Sequence, residues 1–431
     1  MAELKGYKGK IRDLLISNKI DVGNLVKITS ELTYSGILMP RYESGDESHI
    51  VLKLKSGYNI GIEFEKIEKI EKIGEGQSSV ESSQTIEKDE KLPKILLLST
   101  GGTIASKVDY RTGAVTPALS ATELYEAVPE IAKIANVDAE VLFSEYSENL
   151  QPEHWLEIAK KVDSVADSEY TGIIIAHGTD TMHYSSAFLS FALSGFKKPI
   201  VLVGSQRSSD RPSSDAALNL IAATKFLTRC SAKGVFIVMH HDESDNAIAC
   251  HLGTRVRKNH TSKRSAFETI GSPPAYIIFE NEIIDNSYKN KKEFSKEYNP
   301  RINLDTKVAL VKYHPGFDPE IIESLIKLEY RAIIFEGTGL GHVGKTMYES
   351  IRKAKENGIF LGMTSQCIDG RVSMTVYESG RDLLDIGIVP LETMIPEVAL
   401  VKAMWVLGNS DSDHEIKKMM LEDCASEFFT E

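Results

Sequence analysis

The chain has 431 residues with 50 lysines and arginines against 62 aspartates and glutamates, which gives a formal net charge of −12. An acidic balance of this size argues against a protein that coats nucleic acid by charge alone. Apolar residues make up 42% of the chain and charged residues 26%. These fractions are ordinary for a soluble globular protein and exclude fibrous, collagen-like and wholly disordered classes.

The cysteines and the apolar runs indicate in which cellular compartment the protein is expected. Cys230, Cys250, Cys367 and Cys424 form no C-x-x-C pair, so the sequence predicts neither a zinc ribbon nor a disulfide framework. The first residues lack the apolar segment of a secretory signal. No apolar run approaches the roughly 20 residues that span a bilayer. We therefore expect a cytoplasmic protein without membrane contact.

Residues 1–73 are predicted to form a small β-barrel. Alternating apolar and polar residues indicate a strand over 58–64, and further strands are indicated over 24–29, 32–38 and 50–54. Ser56-Gly57 is typical of a tight hairpin turn. The nearly balanced charge of this module leaves two partners open, another protein or domain and RNA. The strongly polar residues 74–93 are predicted to form a linker.

The rest of the chain alternates strand and helix patterns, which predicts an α/β fold with a doubly wound parallel sheet. A large α/β domain is predicted over 94–290. Its strands are expected at 95–99, 141–143, 173–176, 200–203 and 235–239. Its helices are expected at 183–193, at 214–227 and after a capping box that begins at Ser120. A smaller α/β domain is predicted over 305–431, with strands at 308–312, 332–335 and 359–363 and helices at 319–328 and 345–357.

Residues that follow the strands are the candidates for chemistry, because open α/β sheets bind ligands beyond the carboxyl ends of their strands. These positions carry hydroxyl, carboxylate and ammonium groups, on Thr103, Ser147, Glu148, Thr179, Asp180 and Lys258. A threonine hydroxyl becomes a nucleophile when a base activates it. A desolvated lysine is a competent base, and the Gly101-Gly102 turn offers amides for an oxyanion hole. The set predicts acyl transfer to water, such as amide hydrolysis.

Each of these segments also has an ordinary structural interpretation. A glycine turn after a strand often has no catalytic role. Asp180 or Thr181 is well placed to cap the following helix. Lys258 has several basic neighbours, and a basic segment of this kind, taken alone, is expected to be a solvated loop or to contact phosphate groups. The spacing of His240-His241-Asp242 matches no standard metal site.

Two motifs resemble those of the L-asparaginase family. They are T-G-G-T-I-A-S at 100–106 and H-G-T-D-T-M at 177–182. Further matches lie at 204–210, 213–220 and 258–267, and the resemblance covers about residue 93 to the C-terminus. It implies an acylated nucleophile at Thr103. It also implies a second catalytic set, formed by Thr179, Asp180 and Lys258, that activates Thr103 or the attacking water.

The same resemblance implies how the substrate is held. Its α-carboxylate and α-amino groups are expected on Ser147, Glu148 and Asp180. Tyr110 falls in the segment where asparaginases carry a mobile lid tyrosine. The implied fold is asparaginase-like, and no metal or cofactor is implied for this chain.

The N-terminal module is absent from plain asparaginases. An asparaginase-like body with this extension is similar to the GatD family, whose members are subunits of archaeal glutamyl-tRNA(Gln) amidotransferases. This similarity implies a glutaminase that supplies ammonia to a GatE-type partner, with ATP and Mg²⁺ in the partner and a homodimer formed through the body. Two other interpretations stay open here: a free L-asparaginase or glutaminase with an extra domain, and a non-catalytic protein that binds an amino acid. The preference between glutamine and asparagine is also open.

Overall fold

The computed structural model describes residues 4, 6–41, 47–54, 59–75, 89–101, 106–109, 114–117, 124–125, 128–207, 214–286 and 297–429. Among these residues, no helix has both the length and the apolar character needed to cross a membrane.

The N-terminal module contains one helix and one antiparallel sheet. The helix is α1 (Gly9–Ser17), and the sheet has the strand order β4-β3-β2-β1-β5. The strands are β1 (Asn24–Thr29), β2 (Thr33–Leu38), β3 (His49–Leu54), β4 (Asn59–Glu63) and β5 (Lys69–Glu75). A 3₁₀ turn, Phe64–Lys66, follows β4. Ile11 and Leu15 of α1 pack in one apolar core with the inward side chains of the sheet, such as Val26 and Leu52.

The four strands predicted for this module are confirmed, with the last ending at Glu63 rather than at residue 64. The expected hairpin turn at 56–57 lies outside the described residues. Sequence analysis did not find α1 or β5. In β5 the isoleucines Ile70 and Ile73 are three residues apart, which is a helical spacing and not the alternation of a strand.

The large domain is built on a sheet of eight strands in the order β17-β16-β13-β12-β11-β10-β6-β9. Strands β9, β6, β10, β11 and β12 are parallel, as predicted, and β13, β16 and β17 extend the sheet in antiparallel fashion. Two further antiparallel pairs, β7–β8 and β14–β15, lie outside it. The antiparallel extension was not predicted, because β16 and β17 have three residues each and give no clear alternation.

The bounds of these elements follow in chain order. The strands are β6 (Lys94–Ser99), β7 (Ser106–Asp109), β8 (Ala114–Pro117), β9 (Asn136–Val141), β10 (Gly172–Ala176), β11 (Pro199–Val203), β12 (Gly234–His240), β13 (Ile248–Leu252), β14 (Val256–Lys258), β15 (Phe267–Thr269), β16 (Tyr276–Ile278) and β17 (Ile283–Asp285). The helices are α2 (Pro152–Ser164), α3 (Met182–Ala192) and α4 (Ala216–Arg229), with 3₁₀ turns at Pro129–Lys133 and Ser147–Asn149.

Both faces of the parallel sheet are covered by helices. Successive residues of a strand point to opposite faces, and β6 follows this rule. Leu96 packs in one core with Ile158 of α2, whereas Leu97 packs in another with Phe226 of α4. Each face buries an aliphatic layer, and the doubly wound arrangement is confirmed.

The prediction of a strand at 141–143 is wrong. The strand that pairs with β6 is β9, Asn136–Val141, and it begins five residues earlier. As an edge strand it is only partly buried, with polar residues at Asp138 and Glu140, so the apolar run after it gives the stronger sequence signal. The helix predicted from Ser120 begins outside the described residues, and only Leu124 and Tyr125 of it are described as helical.

The smaller domain has a parallel sheet of four strands in sequential order. Its strands are β18 (Val308–Lys312), β19 (Ala332–Gly337), β20 (Phe360–Ser365) and β21 (Val389–Pro390). Its helices are α5 (Glu320–Lys327), α6 (Tyr348–Glu356), α7 (Glu378–Ile386), α8 (Pro396–Asn409) and α9 (Asp413–Leu421), with a 3₁₀ turn at Lys345–Met347. The three predicted strands and two predicted helices are confirmed. Helix α8 joins this domain to α3, where Trp405 stacks on Phe191 with ring centroids 5.7 Å apart.

A fully buried ion pair holds the C-terminal tail, residues 422–429, against α8. The ammonium of Lys402 donates to a carboxylate oxygen of Glu427, and both side chains are 0% exposed. Lys402 also donates to the carbonyl oxygens of Met420 at 3.1 Å and Glu422 at 2.5 Å. The Glu427 carboxylate accepts from the amides of Cys424 and Ala425. These additional hydrogen bonds offset much of the cost of removing both charges from water.

Replacing Lys402 by methionine leaves the Glu427 carboxylate buried without its cation. We expect the free energy of unfolding at pH 7 to fall by about 3–5 kcal/mol, measured by urea denaturation of the full chain. The control is Lys353→Met, which removes an exposed ion pair of 2.9 Å with Glu323 and should leave the free energy of unfolding nearly unchanged. Equal losses of unfolding free energy in the two variants would show that the buried ion pair contributes no more to stability than the exposed one.

The loss of unfolding free energy caused by Lys402→Met should be smaller in acid than at pH 7. Burial raises the pKa of Glu427, but Lys402 and the two amides together outweigh it, so the pKa in the native chain is lowered. A lowered native pKa gives stability that is present above the unfolded pKa and is lost as the pH falls through the native one. Without Lys402, burial favours protonated Glu427, and acid then stabilises the variant. A constant cost between pH 7 and about pH 4 would contradict this account.

Candidate active site

The carboxyl ends of β6 and β10 form the floor of the candidate site. Strand β10 ends at Ala176, and residues 177–181 turn into α3. The two strand ends are tied together because Thr100, just after β6, donates both its amide and its hydroxyl to the carbonyl oxygen of Ala176, at 3.0 and 2.9 Å. The arrangement places the segments after both strands at one edge of the sheet, as the topology requires.

Lys258 joins the two predicted residues of this turn. Its Nζ donates to Thr179 Oγ1 at 2.9 Å and to Asp180 Oδ1 at 2.7 Å. The lysine side chain is 9% exposed, whereas Asp180 is 65% exposed. A nearly buried ammonium therefore contacts the hydroxyl of a half-buried threonine and a carboxylate that is open to solvent. The geometry suits proton transfer between Thr179 and Lys258, with Asp180 stabilising the protonated lysine.

Ser147 lies against the same turn from the other side. It opens the 3₁₀ turn Ser147–Asn149 after β9 and is buried. Its hydroxyl accepts from the Asp180 amide at 3.3 Å, and its carbonyl accepts from the Thr181 hydroxyl at 2.7 Å. Glu148, the next residue, is exposed on this short helix.

The structure thus brings together four of the predicted residues, Ser147, Thr179, Asp180 and Lys258. Thr103 and Tyr110 lie outside the described residues. The turn that precedes Thr103 is described at Gly101, which has a φ of +112°. A Cβ there would lie 2.2 Å from the carbonyl oxygen of Glu145, so the backbone conformation and the close approach both require glycine.

His177 supports the turn from beneath, a role that sequence analysis did not predict. Its Nδ1 lies 2.6 Å from the carbonyl oxygen of Gly178, and its Nε2 lies 2.8 Å from Ser185 Oγ of α3. Burial lowers the pKa of His177 to about 4, so the ring is neutral at pH 7. In that state Nδ1–H donates to Gly178 and Nε2 accepts from Ser185. The eight-residue separation of the histidine and the serine carries no motif, so only the fold reveals the pair.

The interpretation of Lys258 as a solvated loop residue is wrong, because its side chain is nearly buried and holds two partners. Its basic neighbours Lys263 and Arg264 instead pair with Glu243 and Asp245. His240 is buried and bonded through Nδ1 to an asparagine side chain. Across the described ranges, no group of three or more His, Cys, Asp or Glu residues is placed to hold a metal ion.

Three family models match this chain in succession. "GatD N-terminal domain" matches 20–73, "Asparaginase, N-terminal" matches 94–291 and "Glutaminase/Asparaginase C-terminal domain" matches 307–420. Among solved structures, the thermostable L-asparaginase from Thermococcus kodakarensis is 32% identical, with a TM-score of 0.70, and covers 78% of this chain and 100% of its own. A probable cytoplasmic L-asparaginase from Campylobacter jejuni is 25% identical, with a TM-score of 0.64, over 77% of this chain and 99% of its own.

Curated relatives match over nearly the whole length. The GatD-type subunit of the glutamyl-tRNA(Gln) amidotransferase from Pyrococcus abyssi is 46% identical, over 97% of each chain. The protein of the same name from Methanopyrus kandleri is 45% identical, over 99% of this chain and 96% of its own. That from Sulfolobus acidocaldarius is 44% identical, over 98% and 94%. The chain therefore belongs to the L-asparaginase family and, within it, to the GatD branch.

Proposed function

We propose that this chain is the glutaminase subunit of a glutamyl-tRNA(Gln) amidotransferase. It hydrolyses glutamine to glutamate and ammonia, and the ammonia converts Glu-tRNA(Gln) to Gln-tRNA(Gln). The observation that carries the proposal is the nearly buried Lys258 ammonium held between Thr179 Oγ1 and Asp180 Oδ1, in a chain similar over nearly its full length to GatD-type amidotransferase subunits.

The chemistry proceeds through an acyl-enzyme. Thr103 attacks the carboxamide carbon of glutamine, its proton passes to a base, and the carboxamide oxygen takes the negative charge. Amides of the Gly101-Gly102 turn stabilise this oxyanion. The C–N bond then breaks, the nitrogen takes a proton and leaves as ammonia, and a glutamyl ester remains on Thr103. Water attacks the ester, which releases glutamate and restores the threonine hydroxyl.

The Thr179–Lys258–Asp180 cluster supplies the proton transfers. Lys258 acts as a base once its ammonium has given up a proton, and it then takes up a proton through Thr179, with which it is in hydrogen-bond contact. Asp180 stabilises the resulting ammonium. The cluster serves either half-reaction, activating Thr103 in the first or the attacking water in the second. We assign no metal and no cofactor to these steps.

Charged groups at the rim of the site suit an amino-acid substrate. Asp180 and Glu148 are exposed carboxylates that attract the α-ammonium group of glutamine. Ser147 provides a hydroxyl for the α-carboxylate, and its position is fixed by contacts with the Asp180 amide and the Thr181 hydroxyl. Tyr110 is assigned to the lid over the bound substrate.

The amidation step belongs to another polypeptide in this proposal. A GatE-type partner binds ATP and Mg²⁺, activates the glutamyl ester of Glu-tRNA(Gln) and receives the ammonia. The asparaginase-like body forms a homodimer, each copy binding one partner, in the cytoplasm. The module that matches the GatD N-terminal domain serves this assembly by contacting the partner protein or the tRNA.

A free L-asparaginase or glutaminase is the second candidate. It is favoured by one observation, that a complete L-asparaginase covers 78% of this chain. The two functions differ in their dependence on the partner. A free amidase turns over substrate at full rate alone, whereas a subunit shows little activity until the partner and Glu-tRNA(Gln) are present.

The first test measures ammonia release from glutamine and from asparagine. The purified chain is assayed alone and then with a GatE-type protein, ATP and Glu-tRNA(Gln). Stimulation of glutamine hydrolysis by these additions supports the proposed subunit. Equal release with and without them, with asparagine preferred, would identify a free asparaginase instead.

Two active-site variants test the assigned chemistry. Thr103→Ala removes the nucleophile and should abolish ammonia release from glutamine while the fold is retained. Lys258→Ala should reduce kcat at least about 10²-fold, because general-base help is lost. The control is Lys263→Ala in the loop between β14 and β15, where the lysine side chain is 52% exposed, and it should leave kcat unchanged. Near-normal activity of Thr103→Ala would remove that residue from the nucleophile's role.

Gly178→Ala tests the assignment of Ser147 to substrate binding. A Cβ at Gly178 would lie 2.8 Å from Ser147 Cβ and 2.9 Å from its Oγ, so Ser147 must move. We expect KM for glutamine to rise by about tenfold, since that corresponds to losing one modest hydrogen bond. Gly61→Ala in the N-terminal module is the control, because its Cβ would meet nothing closer than 3.7 Å. An unchanged KM in Gly178→Ala would argue against the role of Ser147.

A further inference from the structure

The strand that carries Lys258 is too short to hold its own position. Strand β14 has three residues and pairs with β15 in a sheet of two strands. An isolated pair of strands is marginally stable in water. Lys258 must nevertheless keep its Nζ within hydrogen-bond distance of both Thr179 and Asp180. Other contacts have to fix β14 in space.

Side chains alternate along β14, so its two faces contact different parts of the protein. Val256 and Lys258 lie on one face of the strand, and Arg257 lies on the other. Val256 is fully buried in an apolar core to which both domains contribute, while Lys258 contacts Thr179 and Asp180. Arg257, on the opposite face, contacts the smaller domain.

Arg257 forms an ion pair with Glu397 of the smaller domain. Its Nε lies 3.1 Å from Glu397 Oε1, and the glutamate side chain is 9% exposed. Glu397 is in the first turn of α8, where the helix dipole also favours a carboxylate. Its second oxygen, Oε2, is buried and has no hydrogen-bond partner among the described residues. The buried carboxylate therefore depends on Arg257 for its neutralisation.

The C-terminal tail, residues 422–429, contacts the residues that directly precede β14. The Arg255 guanidinium lies over the Phe429 ring, 4.1 Å from its centroid. Thr254 Oγ1 donates to the carbonyl oxygen of Ala425 at 2.7 Å. This contact anchors the residues before β14, whereas the Arg257–Glu397 pair is directly adjacent to Lys258.

We propose that Glu397 is a positioning residue for Lys258. Through Arg257, the carboxylate fixes the backbone of β14 relative to the Thr179–Asp180 turn, and so couples the smaller domain to catalysis. The inference rests on the proposed function, because it takes Lys258 as the base of glutamine hydrolysis. A displacement of about 1 Å in a catalytic group can cost about 100-fold in rate.

The test uses Glu397→Gln in the full chain, assayed with a GatE-type partner, ATP and Glu-tRNA(Gln). We expect kcat for glutamine hydrolysis to fall about 10- to 100-fold, with KM changed less than about threefold, because the substrate-binding groups stay in place. Glu397→Asp, which keeps the charge, should recover part of the lost kcat. The matched control is Asp305→Asn, which removes another half-buried arginine–carboxylate pair of the smaller domain, 2.8 Å to Arg331, and should leave kcat unchanged.

A double-mutant cycle separates positioning from a purely electrostatic effect. If the pair positions the strand, Arg257→Gln lowers kcat as Glu397→Gln does, and the double variant is no worse than either. Opposite effects of the two single changes would overturn the proposal, since they would report the charge beside Lys258 rather than its position. Equal loss of kcat in Glu397→Gln and Asp305→Asn would also overturn it, as a general loss of stability.

Failure of the proposed function gives a different result. If the wild-type chain with its partner releases no ammonia from glutamine, both the proposed function and this inference are overturned. If the wild-type chain is active and Lys258→Ala is equally active, the role of Lys258 and this inference are overturned, while the proposed function stands. If Lys258→Ala is inactive and Glu397→Gln keeps the wild-type kcat, only the positioning role is overturned.

Discussion

The contact on which the site depends is the Lys258 ammonium between a threonine hydroxyl and an aspartate carboxylate. It joins the turn after β10 to a three-residue strand, which pairs with one other strand and would be marginally stable alone. The lysine is nearly buried while Asp180 is open to solvent. This gradient places a nearly buried ammonium behind an exposed carboxylate, and the proposed amide hydrolysis uses both groups.

Close packing of backbone beneath this contact leaves little freedom to change it. Gly101, Gly178 and Gly204 each occupy a position where a Cβ would come closer than 3.0 Å to a neighbouring segment. His177 fills the space below the turn and is neutral, because burial lowers its pKa to about 4. The smaller domain completes the support through α8 and the buried Lys402–Glu427 pair. Contacts from both domains therefore hold Lys258 and the turn after β10 in this geometry.

Much of this architecture could be predicted from the sequence, since the parallel strands are continuous aliphatic runs that end at conspicuous polar motifs. The convergence of Ser147, Thr179, Asp180 and Lys258 was predicted from the rule that such sheets place their loops at one edge, although Lys258 lies on β14, outside the parallel sheet. Strand β9 was misplaced because an edge strand carries polar residues. The Arg257–Glu397 pair was not predicted, because its partners are 140 residues apart and no local pattern links them.

In the proposed reaction, Lys258 drives the release of ammonia from glutamine, and the partner uses this ammonia to form Gln-tRNA(Gln). The most direct test follows ¹⁵N from the amide of glutamine into Gln-tRNA(Gln) in the assembled complex, with wild-type chain and with Lys258→Ala. The account predicts that the variant transfers almost no label from glutamine but still forms Gln-tRNA(Gln) when free ammonium is supplied. Label transfer at the wild-type rate by Lys258→Ala would contradict it.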